Sequence, residues 1–361
     1  MSQLFRVIRH NRLLWLLVLA PLPLVAEQIA PEEHTLLFLL SVVAIIPLAA
    51  LLSLATEAVA EKTGDAVGGL LNATLGNLTE LIICLTALRA GEYVLVKASL
   101  AGAIVANTLF MMGACFLIGG LRHKTQQFNL ANARLQLAML FIAAFGLMVP
   151  SAISAADQVQ VTQSLSLGVA ILLIVTYGFG LLFSLGTHRD VFSASSHVEE
   201  HGEALPVPVA LATLAGVTVI VALVSEVFVA SLTGASQTLG LSPAFTGFVI
   251  VALVGAAAEM ATAFSAAAKD RLDLSVGIAF GSSVQIALFV TPLLVLISYV
   301  IGPTPMTLQF WQGAVLMIFM AVLTASIVTA GGRSAWFLGV LMLMVYSIFA
   351  LTLLLLPTPA G

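Results

Sequence analysis

The chain has 361 residues, of which 60% are apolar and 8% are Asp, Glu, Lys or Arg, and its formal net charge is −4. A soluble protein carries about 25% charged residues and cannot bury so much apolar surface. The mean hydropathy of +1.13 therefore indicates a polytopic membrane protein. This excludes a nucleic-acid-binding protein, a secreted disulfide scaffold and a soluble enzyme. Cys84 and Cys115 lie inside apolar runs and are interpreted as small hydrophobic residues.

Eleven segments are long and apolar enough to cross a bilayer as helices, which takes about 20 mostly apolar residues. In chain order they are residues 13–30, 34–55, 67–90, 95–120, 132–154, 163–186, 207–233, 241–268, 272–301, 310–330 and 334–357. Their apolar residues do not alternate with a period of two, as the strands of a transmembrane barrel do. The expected fold is therefore an all-α polytopic bundle of about 11 transmembrane helices.

The lysines and arginines of the short loops predict the orientation, because cytoplasmic loops carry an excess of positive charge. With a cytoplasmic N-terminus, two of them, Arg89 and Lys97, lie outside and eleven lie inside. The eleven are Arg6, Arg9, Arg12, Lys62, Arg122, Lys124, Arg134, Arg189, Lys269, Arg271 and Arg333. The C-terminus then lies outside. Residues 1–33 form an extra N-terminal helix in this reading, and a cleaved signal peptide is the alternative.

Residues 187–206 form a polar linker between two apolar parts of the chain. Its acidic residues are Glu199, Glu200 and Glu203, and His197 and His201 stand four residues apart. We expect either a solvated cytoplasmic linker or an acidic surface that gathers or senses cations. The histidine spacing fits a metal pair on a helix, but a single pair is weak support for a site.

The parts on either side of the linker, 34–186 and 207–361, resemble each other as five-helix repeats. Gly76 precedes Glu80 by four residues in the third span, and Gly255 precedes Glu259 by four in the eighth. A second glycine follows each Glu after 22 residues, at Gly102 and Gly281. Since five crossings is an odd number, the second repeat must enter the membrane from the opposite side. Inverted repeats of this kind are typical of secondary transporters, with substrate sites near the midplane.

Glu80 and Glu259 are the central candidates for function, because each lies in an otherwise uncharged membrane span. An acidic residue at the helix centre costs about 2.5 to 3.5 kcal/mol on insertion scales. Gly76 and Gly255 weaken the helix one turn before each Glu, and an opened turn exposes carbonyls only where it lines a cavity. With Asn77 added, these residues predict an all-oxygen site for a hard cation such as Ca²⁺. We expect no histidine or cysteine beside either Glu to favour a softer metal.

The same carboxylate oxygens bind either a cation or protons, so the two ligands compete. Alternating exposure of such a site to the two sides of the membrane predicts exchange of a cation for protons. Polar residues on neighbouring spans are candidates for orienting the carboxylates or lining the path. They are Glu57, Glu226, Asn107, Ser282, Ser283 and Gln285.

Two long stretches resemble the calcium/cation–proton exchangers of the cation/Ca²⁺ antiporter superfamily. They are residues 70–107, which contain GNLTE, and residues 245–295, which contain GAAAEM; the stretch 183–192 is also similar. The resemblance implies eleven helices, a central pair at Glu80 and Glu259, and an acidic cytoplasmic helix at Glu199, Glu200 and Glu203. The second family signature usually reads Gly-Asn-Ala-Ala-Glu-His, whereas this chain has Ala256 and Met260. The chain also has Leu78 where a small residue is usual and Ala103 where Ser is frequent, so the predicted ion selectivity is open.

The leading hypothesis is a Ca²⁺/H⁺ antiporter of a prokaryotic inner membrane that exports Ca²⁺ using inward proton flow. The alternatives are a Na⁺-coupled exchanger, a K⁺- or Mn²⁺-selective exchanger of the same fold, and a passive cation channel. The motifs of intramembrane proteases and of phosphate-binding loops do not occur, so neither an enzyme nor a cofactor is expected. The expected partners are Ca²⁺, protons and the lipid bilayer, with a homo-oligomer left open.

Overall fold

The computed structural model describes residues 8–9, 11–63, 65–153, 159–188 and 206–355. A 3-10 helix spans Arg12–Leu19. The helices that follow are α1 (Leu22–Ile29), α2 (His34–Lys62), α3 (Asp65–Leu75), α4 (Leu78–Arg89), α5 (Tyr93–His123), α6 (Leu130–Ala152), α7 (Gln160–Thr187), α8 (Val207–Leu239), α9 (Pro243–Gly255), α10 (Ala257–Ala268), α11 (Leu272–Ile301), α12 (Gln312–Thr329) and α13 (Trp336–Leu355). The acidic residues Glu199, Glu200 and Glu203, and the pair His197 and His201, lie outside the described residues.

Within the described ranges, eight helices are long and apolar enough to cross a membrane, and α9 with α10 makes a ninth span that is bent by 60°. Two expected spans have a different form. The first is interrupted by Pro21 and Pro23, because proline lacks the N–H that continues a helix. The third consists of the two short helices α3 and α4. The all-helical membrane fold is confirmed, while the number eleven stays a prediction.

The core of the bundle is formed by helices from both halves of the chain. Helix α2 packs along α8, and α5 packs against both α9 and α13. The backbones of α5 and α9 approach closely at Gly102, where a Cβ atom would collide with the backbone of Phe248. Small residues permit such close approach between membrane helices. Gly102, the glycine that follows Glu80 by 22 residues, is therefore a packing residue at the contact between the two halves.

A two-stranded antiparallel sheet was not expected from the sequence. Its strands are β1 (Thr125–Gln127) and β2 (Arg333–Ala335), with Gln126 opposite Ser334. It joins the loop after α5 to the loop before α13, and both loops are predicted to be cytoplasmic. Strands of three residues are too short to leave a sequence signal, so only the folded chain reveals them.

The loop contacts agree with the predicted relative sidedness. Near the sheet, the Gln126 side chain donates to Asp270 Oδ1 at 2.8 Å and to the carbonyl of Ala267 at 3.0 Å. At the other end of the bundle, Lys97 Nζ donates to the carbonyl of Gln309 at 2.8 Å, and the Tyr93 hydroxyl donates to the carbonyl of Thr304. The loops predicted to share a side of the membrane therefore meet in space.

Candidate functional site

Two helices are broken at matching points of the two halves. Between α3 and α4 the chain leaves the helical conformation at Asn77, with φ −101° and ψ 36°. Between α9 and α10 it does so at Ala256, with φ −83° and ψ 5°. The helical ladder stops with the bond from Gly76 N to Asn72 O and resumes with the bond from Leu81 N to Asn77 O. The carbonyls at the end of α3 and of α9 are thereby released from regular helix bonding.

Each break places its Glu in the first turn of the helix that follows. Glu80 is the third residue of α4, after the N-cap residue Asn77, and Glu259 is the third residue of α10, after the N-cap residue Ala256. The N-terminus of a helix carries a partial positive charge that stabilises a carboxylate. The two acids therefore occupy equivalent positions where the backbone itself favours negative charge.

One cavity brings the two carboxylates together across the halves. Its lining consists of Ala49, Leu52, Ser53, Leu75, Gly76, Thr79, Glu80, Gly255, Ala258 and Glu259. In the part of the chain that the structure describes, Oε1 of Glu80 and Oε2 of Glu259 are buried without a hydrogen-bond partner. Buried polar atoms are ordinarily satisfied, so these two oxygens mark a place where a ligand is expected.

Gly255 lets Glu80 reach this cavity. A Cβ atom at position 255 would lie 3.0 Å from Glu80 Cγ and 3.2 Å from Oε1. The side chain of Glu80 thus lies against the backbone of the opposite broken helix. The predicted glycine therefore has a definite role, which is to leave room for the carboxylate of the other half.

A hydrogen-bonded network of neutral side chains supports the first break. Asn77 Nδ2 donates to Gln285 Oε1 at 2.5 Å, and Ser282 Oγ donates to Asn77 Oδ1 at 2.7 Å. Asn107 Nδ2 in turn donates to Ser282 Oγ at 2.9 Å. Four of the predicted polar residues are thus joined, and they tie α4 and α5 of the first half to α11 of the second.

Ser283 takes no part in this network. Its hydroxyl lies 3.1 Å from Thr108 Oγ1 and donates to the carbonyl of Ala279 at 2.9 Å. Serines in helices commonly bond to their own backbone in this way. The structure therefore gives Ser283 a packing position, and its predicted role on the path gains no support from the geometry.

Glu57 and Glu226, both predicted on the path, have different surroundings. Glu57 is half-buried on α2 and its Oε1 accepts a hydrogen bond of 3.1 Å from Ser53, which lines the cavity. Glu226 is exposed on α8 and forms an ion pair of 3.7 Å with Arg89. It is absent from the described lining of the cavity that holds Glu80 and Glu259. Glu57 therefore stands at the margin of the site, and Glu226 lies away from it.

Two cavity residues, Ser53 and Thr79, were missed by sequence reasoning. Ser53 stands one helical turn before Glu57, and Thr79 is adjacent to Glu80. Each spacing was a usable signal, but hydroxyl residues are frequent in membrane helices and the signal is weak. Their hydroxyl oxygens add to the oxygen ligands available at the cavity.

The resulting set of ligands is rich in oxygen and poor in charge. Among the described residues, no group of three or more His, Cys, Asp or Glu side chains lies close enough together to hold a metal ion. Two carboxylates and neighbouring hydroxyls line one cavity, and one divalent cation or two protons would balance the charge of the ionised pair. Such oxygen ligands suit a hard cation, and Ca²⁺ takes six to eight of them.

Comparison with known proteins shows full-length relatives. The chain is 39% identical over 362 residues to a Ca²⁺/H⁺ antiporter of Synechocystis sp., covering 95% of this chain and 97% of the relative. It is 38% identical to the Ca²⁺/H⁺ antiporter ChaA of Bacillus subtilis, covering 96% of this chain and all of the relative.

Solved structures show the same fold. Native YfkE matches with a TM-score of 0.82 and 34% identity, covering 94% of this chain and 99% of YfkE. The sodium–calcium exchanger NCX_Mj matches with a TM-score of 0.55 at 17% identity, which shows a likeness of fold alone.

The family model described as sodium/calcium exchanger protein matches residues 33–186 and 209–355. These two ranges leave out the N-terminal segment and the whole of the polar linker 187–206. The resemblance noted from the motifs is therefore confirmed, and the protein belongs to the sodium/calcium exchanger family.

Proposed function

We propose that this protein is a secondary transporter that exchanges cytoplasmic Ca²⁺ for protons by alternating access, with Glu80 and Glu259 as the shared binding site. The observation that carries the proposal is the pair of partnerless carboxylate oxygens on opposite broken helices at one cavity. Relatives at 38–39% identity over nearly the whole chain are named Ca²⁺/H⁺ antiporters, which supports the choice of ions.

The binding step follows from the chemistry of the site. When the carboxylates are ionised, the cation binds to their oxygens and to neutral oxygens of the opened turns near Gly76 and Gly255. Asn77, held by Gln285 and Ser282, fixes the first opened turn and so positions Glu80. A positioned ligand set binds more tightly than a flexible one because less ordering is needed on binding.

The exchange step follows from charge balance. An empty, ionised pair would leave two negative charges in a low-dielectric region, which is unfavourable. One Ca²⁺ or two protons neutralise the pair, and either loaded form is suited to reorientation. Ca²⁺ and protons therefore cross in opposite directions through the same site, and an empty site reorients slowly.

Several features belong to the proposal as expectations. They are the two inverted repeats 34–186 and 207–361, the N-terminal helix within 1–33, and the linker 187–206 as a regulatory cation surface. A cytoplasmic N-terminus and an outside C-terminus follow from the loop charges, and the short loops together with bacterial relatives support a prokaryotic inner membrane. A homo-oligomer is compatible with this organisation. Ala256 and Met260 keep a Na⁺-coupled, K⁺-selective or Mn²⁺-selective exchanger as the second candidate.

The proposal is tested with purified protein in liposomes that carry a trapped Ca²⁺ dye. A pH jump is expected to drive Ca²⁺ against its own gradient, with a matching proton flux in the opposite direction. Glu80→Gln and Glu259→Gln are each expected to reduce the rate more than about a hundredfold, because loss of even a supporting residue costs about 10- to 100-fold at a metal site. Glu92→Gln, changed at the N-cap of α5 outside the cavity, is the matched control.

Three results would contradict the proposal. Ca²⁺ flux that runs only downhill, without counterflow of protons, would indicate a channel. Full activity in both Gln variants would mean that the pair is not the binding site. Transport that requires Na⁺ in place of the pH gradient would favour the second candidate.

A further inference from the structure

Three loops that are far apart in the sequence bring exposed positive charges to one end of the bundle. Arg122 lies in the last turn of α5, and Lys124 follows that helix. Lys269 follows α10, and Arg333 begins β2. All four side chains are exposed, and these four residues are named the basic patch.

Tertiary contacts hold the three loops of the basic patch together. The strands β1 and β2 pair with Gln127 opposite Arg333, which fixes Arg333 beside the loop that begins at Lys124. Arg122 Nη1 donates to the carbonyl of Ala268 at 3.4 Å, directly before Lys269. The patch is therefore a product of the fold.

The neighbouring acids leave the patch with a positive balance. Asp270 Oδ1 accepts a hydrogen bond of 2.8 Å from Gln126, and Asp273 Oδ1 accepts one from the backbone N–H of Asn129. These two carboxylates are already engaged by the loop that precedes α6. They are outnumbered by the four cations of the basic patch together with Arg271.

The positive charge is concentrated on one side of this end of the bundle. At the end of α2, which is also predicted to be cytoplasmic, Glu57 and Glu61 accompany Lys62. The general excess of positive charge in cytoplasmic loops does not explain such an uneven distribution. The concentration arises because three particular loops meet in space.

Exposed apolar side chains border the basic patch where α5 meets α13. Leu121, which directly precedes Arg122, is 68% exposed, and Trp336 and Phe337 at the start of α13 are 47% and 54% exposed. The two helices are in close contact here, because a Cβ atom at Gly120 would collide with the backbone of Trp336. Aromatic rings in membrane proteins are enriched at the level of the lipid headgroups.

We propose that the basic patch, together with Leu121, Trp336 and Phe337, is a binding surface for an anionic phospholipid. Lysine and arginine bind phosphate by charge-assisted hydrogen bonds, and basic pockets between membrane helices bind anionic headgroups. The exposed apolar side chains give the upper part of the acyl chains a surface to pack against. A phosphatidylcholine headgroup carries an ammonium group that the patch repels, so the surface discriminates by headgroup charge.

The test measures lipid binding at the patch itself. The chain has three tryptophans, so Trp15→Phe with Trp311→Phe leaves Trp336 as the single fluorophore. The full-length protein is placed in vesicles of brominated phosphatidylglycerol or brominated phosphatidylcholine, and in mixtures of each with its unbrominated counterpart, and the quenching of Trp336 gives the relative binding constant. Phosphatidylglycerol is expected to be favoured by at least about fivefold, which is the contribution of one basic residue near an anionic surface. The preference is expected to fall as salt is raised, because exposed charges are screened.

Charge-removing variants locate the effect. Arg333→Gln combined with Lys124→Gln is expected to remove most of the preference for phosphatidylglycerol. Lys62→Gln, which removes an exposed cation at the end of α2, is the matched control and is expected to keep it. If the double variant does not fold, the salt dependence and the single variant Lys124→Gln take its place.

Three outcomes would overturn the proposal. Equal quenching by the two lipids in the parent protein would mean that the surface does not select an anionic headgroup. A preference that persists unchanged in the double variant would place the lipid elsewhere. A preference that arises only after Glu199, Glu200 and Glu203 are changed to Gln would mean that the linker 187–206 occupies the patch.

Discussion

The two broken helices have the same backbone plan and different polar support. At the first break, Asn77 is joined to Gln285 and Ser282, at 2.5 and 2.7 Å. At the second break, the equivalent residue is Ala256, which is fully buried and has no polar side chain. Both helices nevertheless present a Glu in the first turn of their second part. The comparison teaches that the break itself needs no side-chain hydrogen bond, since it forms at Ala256 without a side-chain cap.

The two halves therefore contribute different groups to the candidate site. The second half supplies Ser282 and Gln285 to the first break, while Ala256 has no polar side chain that could bond to the first half. Glu80 is buried and Glu259 is half-buried. The first break therefore has the hydrogen-bonded support, and the second break carries the residues that depart from the usual signature.

After the loss of either Glu, the largest effect is expected from removing the support of the first break. Asn77→Ala removes the hydrogen bonds to Gln285 and Ser282 and frees the turn before Glu80, which is expected to lower the apparent Ca²⁺ affinity by about 10- to 100-fold. The measurement is the Ca²⁺ dependence of proton-driven uptake. Gln136→Ala breaks an amide pair with Asn132 on α6, away from the cavity, and is expected to leave uptake unchanged. Equal loss in both variants would contradict the special role of Asn77.

The pH dependence tests whether both halves contribute a titrating carboxylate. Protons compete with Ca²⁺ for the same oxygens, so apparent Ca²⁺ affinity falls as pH falls, by about tenfold per pH unit for each proton displaced. Two protons are expected, which gives a slope of about two in the logarithm of affinity against pH before both groups are ionised. Equilibrium binding of Ca²⁺ at fixed ionic strength measures the slope. A slope near one would mean that one half carries the coupling alone.

A smaller effect is expected from the contact between the halves. Gly255→Ala puts a methyl group 3.0 Å from Glu80 Cγ and displaces the carboxylate. Because a misplacement of 1 Å can cost about a hundredfold in rate, a shift of a few tenths of an ångström is expected to slow exchange by roughly tenfold. In the background of Glu80→Asp, whose side chain is one methylene shorter, the added methyl group of Gly255→Ala is expected to slow exchange less.

Gly281→Ala is the control for that prediction. No described atom lies within 4 Å of a Cβ built at Gly281, so exchange is expected to continue at the wild-type rate. If Gly281→Ala slows exchange as much as Gly255→Ala does, the steric argument for Gly255 does not hold.

The smallest effect is expected from restoring the usual second signature. Ala256→Asn combined with Met260→His adds an amide and an imidazole beside Glu259. A new neutral hydrogen bond is worth about 0.5 to 1.5 kcal/mol, so the ratio of Ca²⁺ to Mn²⁺ uptake is expected to change by about two- to tenfold. Competitive uptake of the two ions measures it. An unchanged ratio would mean that Ala256 and Met260 do not set selectivity.

The central site was largely predictable from sequence because its signals are local. A Glu in an uncharged span, with Gly one turn earlier, is visible within five residues, and the structure brings both copies to one cavity. The partners of Asn77 were not predictable, since Gln285 lies 208 residues away and Ser282 lies 205 away. Pairing over such separations depends on how helices pack, which local pattern does not encode.

The environments of Glu226 and Cys84 also differ from what the sequence predicts. One residue is more exposed than expected, and the other lies beside a cavity. Glu226 has the sequence context of a buried functional acid, yet α8 turns it toward Arg89 on the exposed surface. Cys84 has the context of a small apolar residue, yet α4 turns it into a cavity beside Ser99 and Glu80. In each case the rotation of a helix about its axis decides the environment, and nearly uniform apolar sequences specify that rotation poorly.

The sequence by itself determined that the chain is a helical membrane protein, and it singled out Glu80 and Glu259 as the central candidates because each lies in an uncharged span. Composition and the high cost of burying charge are sufficient for those conclusions. Only the tertiary structure decided which residues share a cavity, which glycine leaves room for which carboxylate, and which loops pair as strands. Those features arise from side chains of distant segments meeting in a packed bundle, where contact geometry and hydrogen-bond satisfaction select one arrangement.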